Sequence, residues 1–168
     1  MARDGYARMS IDAVAAAAGV SKPTLYRRYP TKAALATAAI AHLRDQTPPR
    51  ETGRVHADLV AHLRDFQDGV ERPFGVSMVG TVLAEEHQTP ELLERFRDQV
   101  VQPRRRMLRA VLERGQARGE LRPDADLDTA TAMLIGAYYA EHLARGRVTR
   151  DWPERTVTLA LAGLAPTG

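Results

Sequence analysis

The chain contains no cysteine, few aromatic residues and no long apolar run. Without cysteine it has no disulfide, no thiol nucleophile and no Cys-type zinc site. No apolar stretch approaches the roughly 20 residues that span a bilayer. The N-terminus also lacks the basic start and apolar core of a signal peptide. These absences disfavour secreted and membrane-spanning classes, and we expect a cytoplasmic protein.

The charge of the 168-residue chain is unevenly distributed. The net charge is +3, but residues 1–44 carry seven basic and two acidic side chains, so the remainder is mildly acidic. The only two lysines, Lys22 and Lys32, both lie in this basic segment, and every other basic residue is arginine. A basic head on an acidic body is typical of a protein that meets a polyanion with its head alone.

The hydrophobic pattern is helical throughout, with no convincing alternation of strand type, which predicts an all-α fold. Three short helices are expected in the head. Ser10, Ser21 and Thr31 are placed as their N-caps, and Gly19 and Pro30 end the first two. The expected ranges are 10–18, 22–29 and a third that ends near Leu43.

The second half of the chain predicts a longer helical body. Residues 46–53 are polar, contain two prolines and form the clearest linker. Gly69 and Gly119 are expected to end helices, and Pro103 to kink or split the longest one. The expected helices cover 55–68, 74–87, 90–118, 126–144 and 153–165. This pattern predicts a short helical head over residues 1–45 and a longer helical domain over 54–168.

Two short helices joined by a turn with a central glycine form a helix-turn-helix, whose second helix enters the major groove of DNA. A small apolar core is expected from Ile11, Val14, Ala15, Ala18, Val20 and Leu25. The residues expected to face outward are Ser21, Lys22, Thr24, Tyr26, Arg27 and Tyr29. Hydroxyls and cations on such a surface suit phosphate oxygens and base edges.

Lys32 follows the N-cap of the third helix, where the helix dipole disfavours a cation. A bound phosphate would reverse that preference, because the free N–H groups and the ammonium would share one anion. A solvated lysine is the alternative.

The stretch GYARMSIDAVAAAAGVSKPTLYRRYPTKAALATAAI, residues 5–40, resembles the DNA-binding head of the tetracycline-repressor (TetR) family. The resemblance implies phosphate contacts for Thr24, Tyr26, Tyr29 and Lys32. It implies that Ser21, Lys22, Pro23 and Arg27 lie against bases or the nearby backbone, and that Ser10 anchors the first short helix at a phosphate. Core packing is the alternative for Tyr26 and Tyr29.

The sequence departs from the family at its start. Members usually carry a whole helix before the glycine-tyrosine pair, whereas four residues precede Gly5 here. That helix normally packs over the other head helices. We therefore expect this 168-residue form to have a less stable head and weaker DNA affinity than an extended form.

The body resembles a TetR-type regulatory domain more loosely, through LERGQARGELRPDADLDTATAMLIGAYY. In one subgroup the helices that correspond to 126–144 and 153–165 build a four-helix dimer seam. The residues expected there are Ala130, Met133, Leu134, Ala137, Tyr138, Val157, Ala160, Leu161 and Leu164. Ordinary intramolecular core is the alternative.

A ligand pocket is expected inside the body. Its candidate lining residues are Met78, Leu83, Phe96, Val100, Met107, Met133 and Tyr138, and plain core is the alternative at each position. A metal site built from Glu85, Glu86 and His87 with Glu141 or His142 is disfavoured, because adjacent helical residues face different ways. For Arg104, Arg105 and Arg106, a solvated face is favoured over a second anion site.

These features predict a homodimeric, ligand-responsive regulator without cofactor, metal or membrane contact. It is expected to repress from a palindromic operator in double-stranded DNA and to be released by a small-molecule effector. An enzyme is disfavoured, because no nucleophile-and-base arrangement and no phosphate loop occur. An interaction protein whose head does not bind DNA stays open.

Overall fold

The computed structural model describes residues 5–42, 49–72 and 75–165, and within these ranges all regular structure is helical. The predicted all-α fold is confirmed. The helices are α1 Ile11–Ala17, α2 Lys22–Arg28, α3 Lys32–His42, α4 Val55–Glu71, α5 Gly75–Ala84, α6 Pro90–Phe96, α7 Gln102–Ala117, α8 Leu127–Arg145 and α9 Trp152–Ala162. The helix ends predicted at Leu43 and Phe74 lie outside the described residues.

The head helices begin where the capping residues predict. The Ser10 and Ser21 hydroxyls accept hydrogen bonds from the third backbone N–H beyond them, at 3.4 and 3.3 Å. Thr31 Oγ1 accepts from the N–H of Ala34 at 3.0 Å. Gly19 has a φ of +65°, a conformation that favours glycine, and it follows the end of α1. These contacts confirm the predicted caps.

The predicted helix stop at Gly69 is wrong, because α4 continues to Glu71. A glycine within a helix costs only about 1 kcal/mol, which the packing of a long amphipathic helix outweighs. The predicted stop at Gly119 is confirmed. Gly119 has a φ of +73°, and the N–H of Glu120 reaches back to the carbonyl of Gly115 at 2.9 Å.

Pro103 lies in a continuous helical path that joins α6 to α7. Directly before it, residues Arg97–Val101 adopt a π-helical turn, and the N–H of Gln102 bonds to the carbonyl of Arg97. Proline lacks the N–H donor and crowds the carbonyl four residues earlier. The wider π turn accommodates that loss, so the α-helical bonding is interrupted while the helix itself continues.

Contacts divide the chain into two units, Met1–Asp45 with Gly69–Pro103, and Gln46–Asp68 with Arg104–Gly168. Helices α5 and α6 therefore group with the head rather than with the remaining body helices. The predicted division into domains 1–45 and 54–168 follows chain order and stays a prediction. The core of the first unit consists of Tyr6, Ala33, Ala36, Ile40, Met78, Val82, Leu92 and Phe96.

The second unit is built around leucines and an aromatic cluster. Its fully buried side chains include Leu59, Leu63, Leu108, Leu112 and Leu134. The aromatic cluster consists of Phe66, Tyr138, Tyr139, His142 and Trp152. Across the described parts of both units, each helix is too short or too polar to cross a membrane.

Candidate DNA-binding interface

Helix α2 has no buried residue, although it packs against α1 in the head. Tyr26 is 45% exposed, and Arg27 and Arg28 lie on the surface in the last turn. A short helix that buries nothing presents nearly all of its side chains to solvent. Since those side chains are hydroxyls, cations and a tyrosine, the exposed face suits an anionic partner.

The start of α2 is organised by two hydroxyls. Ser21 accepts from the N–H of Thr24, and the two side-chain oxygens lie 2.8 Å apart. Both hydroxyls remain exposed, so the cap fixes their position without removing them from solvent. Pro23 occupies the first turn, where its missing N–H leaves no helical bond unmade.

Lys22 forms an ion pair with Asp12 of α1, with its Nζ 2.5 Å from the carboxylate Oδ2. The hydrogen bond to Asp12, reinforced by its charge, raises the pKa of Lys22. Both side chains are substantially exposed. No pattern within one helix indicates this pair, because its members are ten positions apart on different helices.

Tyr29 is half-buried at the end of α2. Arg28 donates from Nε to the Tyr29 hydroxyl at 3.2 Å, and its guanidinium lies 5.7 Å from the centre of that ring. Arg28 is absent from the sequence-based set of contact residues. Its place in the last turn of the exposed helix, beside Arg27, was the available signal.

Lys32 is half-buried and tied to the segment before α1. Its Nζ donates to the carbonyl of Ala7 at 2.8 Å and lies 4.5 Å from the centre of the Tyr6 ring. The Tyr6 ring itself is buried, and burial together with the charges of Glu91 and Glu85 raises the pKa of its hydroxyl. Lys32 therefore anchors the segment before α1. Its ammonium retains further N–H groups that can donate hydrogen bonds to a phosphate.

The seven candidate pocket residues fall into both units. Met78 and Phe96 are buried in the core of the first unit, with Val100 packed against them, whereas Leu83 is 55% exposed. In the second unit Tyr138 is buried in the aromatic cluster, Met107 is half-buried and Met133 is exposed. The seven residues are divided between the two units, and their ligand role stays a prediction.

The candidate dimer residues on α8 and α9 differ in exposure. Ala130, Leu134 and Val157 are buried within the single chain, and Ala137, Ala160, Leu161 and Leu164 are partly buried. Of the other two expected residues, Tyr138 is buried and Met133 is 63% exposed. Outside the expected set, Leu143 and Leu159 on the same two helices are 85% and 79% exposed. The role of the candidate dimer residues stays a prediction, because the structure contains a single chain.

The three consecutive arginines of α7 do not share a solvated face. Arg106 is exposed and Arg105 is half-buried, but Arg104 is only 8% exposed. The prediction of a solvated face is therefore wrong for Arg104, because its side chain turns toward α4, where it pairs with Asp65 at 3.1 Å.

Among the described residues, no group of three or more acidic or histidine side chains is arranged to hold a metal ion.

Both halves of the chain match known families. Residues 1–39 match the profile of bacterial regulatory proteins of the TetR family, and residues 49–160 match the tetracyclin repressor-like C-terminal domain. An uncharacterized HTH-type transcriptional regulator of Mycobacterium tuberculosis is 35% identical over 135 residues, which are 79% of this chain. The matched region is 65% of that relative's length.

This chain covers a larger share of two further relatives. The DNA-binding transcriptional repressor TetR of Mycobacteroides abscessus is 34% identical over 140 residues, covering 79% of this chain and 72% of that protein. The crystal structure of the TetR family transcription regulator SCO0332 matches with a TM-score of 0.77 at 29% identity, covering 97% of this chain and 91% of that one. These relatives are named as regulators, not as enzymes. On these matches, the chain belongs to the TetR family of bacterial regulatory proteins.

Proposed function

We propose that the protein is a homodimeric repressor that binds a palindromic operator through α2 and is released by a small-molecule effector. The observation that carries this proposal is helix α2, which has no buried residue, bears hydroxyls and cations on its exposed face and is capped by a side-chain hydrogen bond. One relative is named as a DNA-binding transcriptional repressor, which supports repression. Such a regulator acts on the chromosome, so we expect it in the cytoplasm.

In the proposed complex, each protomer places α2 in a major groove, with the two grooves about one helical turn, roughly 34–36 Å, apart. Arg27, Lys22 and Pro23 lie near base edges or the adjacent backbone. The residues that contact phosphates are Ser10, Thr24, Tyr26, Tyr29 and Lys32. Arg28 joins this set, because it shares the exposed last turn of α2.

The first test is binding to the DNA upstream of the protein's own gene, measured by fluorescence anisotropy at two salt concentrations. Specific binding should be salt-dependent and exceed binding to a scrambled duplex. Arg27→Ala should relax sequence specificity, whereas Arg106→Ala removes an equal charge from an exposed site on α7 and should leave affinity unchanged. Equal binding to both duplexes would contradict the proposal.

Lys32→Ala should weaken binding to all sequences about equally and reduce the salt slope by about 1. Because Lys32 also holds Ala7 and Tyr6, the melting temperature of the variant must be measured alongside. Lys32→Arg keeps the charge and should restore the salt slope. If the salt slope of Lys32→Ala equals that of the wild type, Lys32 anchors the segment and has no phosphate role.

Asp12 competes with DNA for Lys22. In free protein its carboxylate holds the ammonium, and it places a negative charge beside the surface that meets phosphates. Asp12→Asn should therefore strengthen DNA binding a few-fold, most clearly at low salt, since screening weakens the repulsion at high salt. Weaker binding by a folded Asp12→Asn variant would show instead that the pair positions Lys22 for contact.

For the dimer, the exposed apolar stripe on α8 and α9 is the best-supported surface. Met133, Gly136, Ala140 and Leu143 recur at helical spacing on α8, with Leu159 exposed on α9. Small residues between large ones permit close helix packing, and contiguous exposed apolar surface favours an interface. A second copy of the chain fits, because two helices per protomer, each with exposed apolar side chains, complete a four-helix arrangement.

Sedimentation measures this interface directly. Leu143→Glu together with Leu159→Glu should convert a dimer to a monomer at micromolar concentration, because buried like charges oppose association. Leu83→Glu is the control, since Leu83 is also an exposed leucine but lies on α5. A wild-type protein that sediments as a monomer would exclude the dimer and, with it, simultaneous reading of both operator halves.

A further inference from the structure

The second unit contains a buried arginine, Arg104, whose guanidinium has one hydrogen-bond acceptor among the described residues. Arg104 Nη1 donates to Asp65 Oδ2 at 3.1 Å, and the guanidinium lies 5.2 Å from the centre of the Phe66 ring. No other described residue accepts a hydrogen bond from Arg104. An arginine presents several N–H donors in a planar fork suited to a carboxylate. One contact to Asp65 leaves most of that fork available.

Asp65 balances the charge of Arg104, and the other titratable groups that interact with Arg104 electrostatically are neutral. His62 is buried on α4, and burial together with the Arg104 charge lowers the pKa of its imidazole, which is therefore neutral at neutral pH. Burial raises the pKa of the Tyr139 hydroxyl on α8, so the phenol stays protonated. Asp65 is the one carboxylate bonded to Arg104 among the described residues.

Aromatic rings adjoin this cation. The Phe66 ring, which the guanidinium covers, contacts Tyr139 at 5.9 Å and Tyr138 at 5.3 Å between ring centres. Tyr138 and Trp152 are 5.3 Å apart. Such rings favour a planar aromatic ligand through stacked and edge-on contacts. The cation and the aromatic surface are thus next to each other within one unit.

Trp152 supplies an independent observation. Its side chain is 1% exposed, and its indole N–H has no acceptor among the described residues. A buried donor without a partner is unfavourable, so such groups are rare and point to a missing water or ligand. The Trp152 ring lies 6.2 Å from Phe66, on the same aromatic cluster.

We propose that the effector of this protein is a planar aromatic carboxylate bound in the second unit, with its carboxylate on Arg104 and its ring against the aromatic cluster. Asp65 orients the guanidinium, and the indole N–H of Trp152 donates to an oxygen of the ligand or of a water bound with it. This inference rests on the proposed function, since it specifies the chemical class of the effector.

Calorimetric titration of the full chain tests this directly with matched pairs of probes, cinnamate with cinnamamide and 2-naphthoate with 2-naphthamide. Each amide keeps the shape of its acid and removes the charge. At least one acid should bind about tenfold more tightly than its amide, because a charge-assisted, two-pronged contact replaces a neutral one. If no acid binds more tightly than its amide, the proposal fails and the Arg104–Asp65 pair has only a structural role.

Variants assign the preference to Arg104. Arg104→Gln alone leaves the Asp65 carboxylate without its partner, so the Arg104→Gln and Asp65→Asn double variant is the safer test of a folded protein. The double variant should lose the preference for acid over amide, whereas Arg106→Gln on the same helix should keep it. A double variant that is folded by circular dichroism and retains the preference would overturn the assignment.

Measuring whether a bound acid releases the protein from its operator distinguishes failure of this inference from failure of the proposed function. An acid that binds but leaves the protein on DNA supports the site and contradicts its effector role. Operator binding without any preference for an acid supports the DNA-binding role and overturns this site.

Discussion

The hydrogen bond between Thr31, which caps α3, and Glu91 on α6 allows a quantitative prediction of stability. Thr31 Oγ1 accepts from the N–H of Ala34, capping α3, and its hydroxyl donates to Glu91 Oε1 at 3.0 Å. Arg95 Nε donates to the same carboxylate oxygen at 2.6 Å. These bonds hold Glu91 in its ionised form and lower the pKa of its carboxyl. Thr31 thus joins the start of the helix that carries Lys32 to α6.

The magnitudes follow from this geometry. Thr31→Val removes an N-cap worth about 1 kcal/mol and a hydrogen bond to a carboxylate. Because the Glu91 side chain is 41% exposed, solvent reduces that second contribution to about 1 kcal/mol. The free energy of unfolding should fall by about 2 kcal/mol in Thr31→Val and by about 1 kcal/mol in Glu91→Ala. Thr31→Ser retains both bonds and is the control.

The assay is urea unfolding followed by circular dichroism, with all variants at one protein concentration because dimerisation would shift the midpoint. The double variant Thr31→Val with Glu91→Ala should be less destabilised than the sum of the single variants by about 1 kcal/mol. Additivity within about 0.3–0.5 kcal/mol would refute the reasoning, since groups that do not interact behave in that way.

Two further predictions concern the second unit and α4. Burial raises the pKa of Asp58, but hydrogen bonds from Thr52 and Gly53 outweigh it and lower the pKa overall. Asp58→Asn should lower the free energy of unfolding by about 1–3 kcal/mol at neutral pH. This difference from the wild type should shrink as the pH falls below about 4, because the wild-type carboxylate is then protonated through its depressed folded-state pKa. A difference that stays constant in urea titrations at several pH values would contradict the ionised role. Gly115→Ala should destabilise by about 1–2 kcal/mol, because a Cβ there would meet the buried Val55 side chain, whereas Gly69→Ala on α4 has open space and should stabilise by about 0.5–1 kcal/mol. Equal melting temperatures for the two alanine variants would show that Val55 moves aside freely.

Local chemistry explains why the helix starts of the head were predictable. Ser10, Ser21 and Thr31 cap helices through hydrogen bonds that span three residues, so the pattern in the sequence contains both partners. Gly19 and Gly119 end helices for an equally local reason, the positive φ that glycine tolerates. Gly69 was mispredicted, because a glycine weakens a helix without necessarily ending it.

The DNA-binding surface was predictable as a set of residues but not in its contacts. Exposure of α2 follows from its polar composition. The partners of Lys22 and Lys32 are ten and twenty-five residues away, at Asp12 and Ala7. Such pairs form only when helices are packed together, and no spacing rule within one helix predicts them.

By itself, the sequence determined an all-helical chain with capped head helices and the family to which it belongs, because these depend on short-range pattern and on motif. Only the tertiary structure decided which faces are buried. Helix α8 is apolar on more than one side, so periodicity did not show that Leu134 lies inside while Met133 and Leu143 lie outside. Likewise, three adjacent arginines look alike in sequence, and only packing against α4 buries Arg104 beside Asp65 and Phe66.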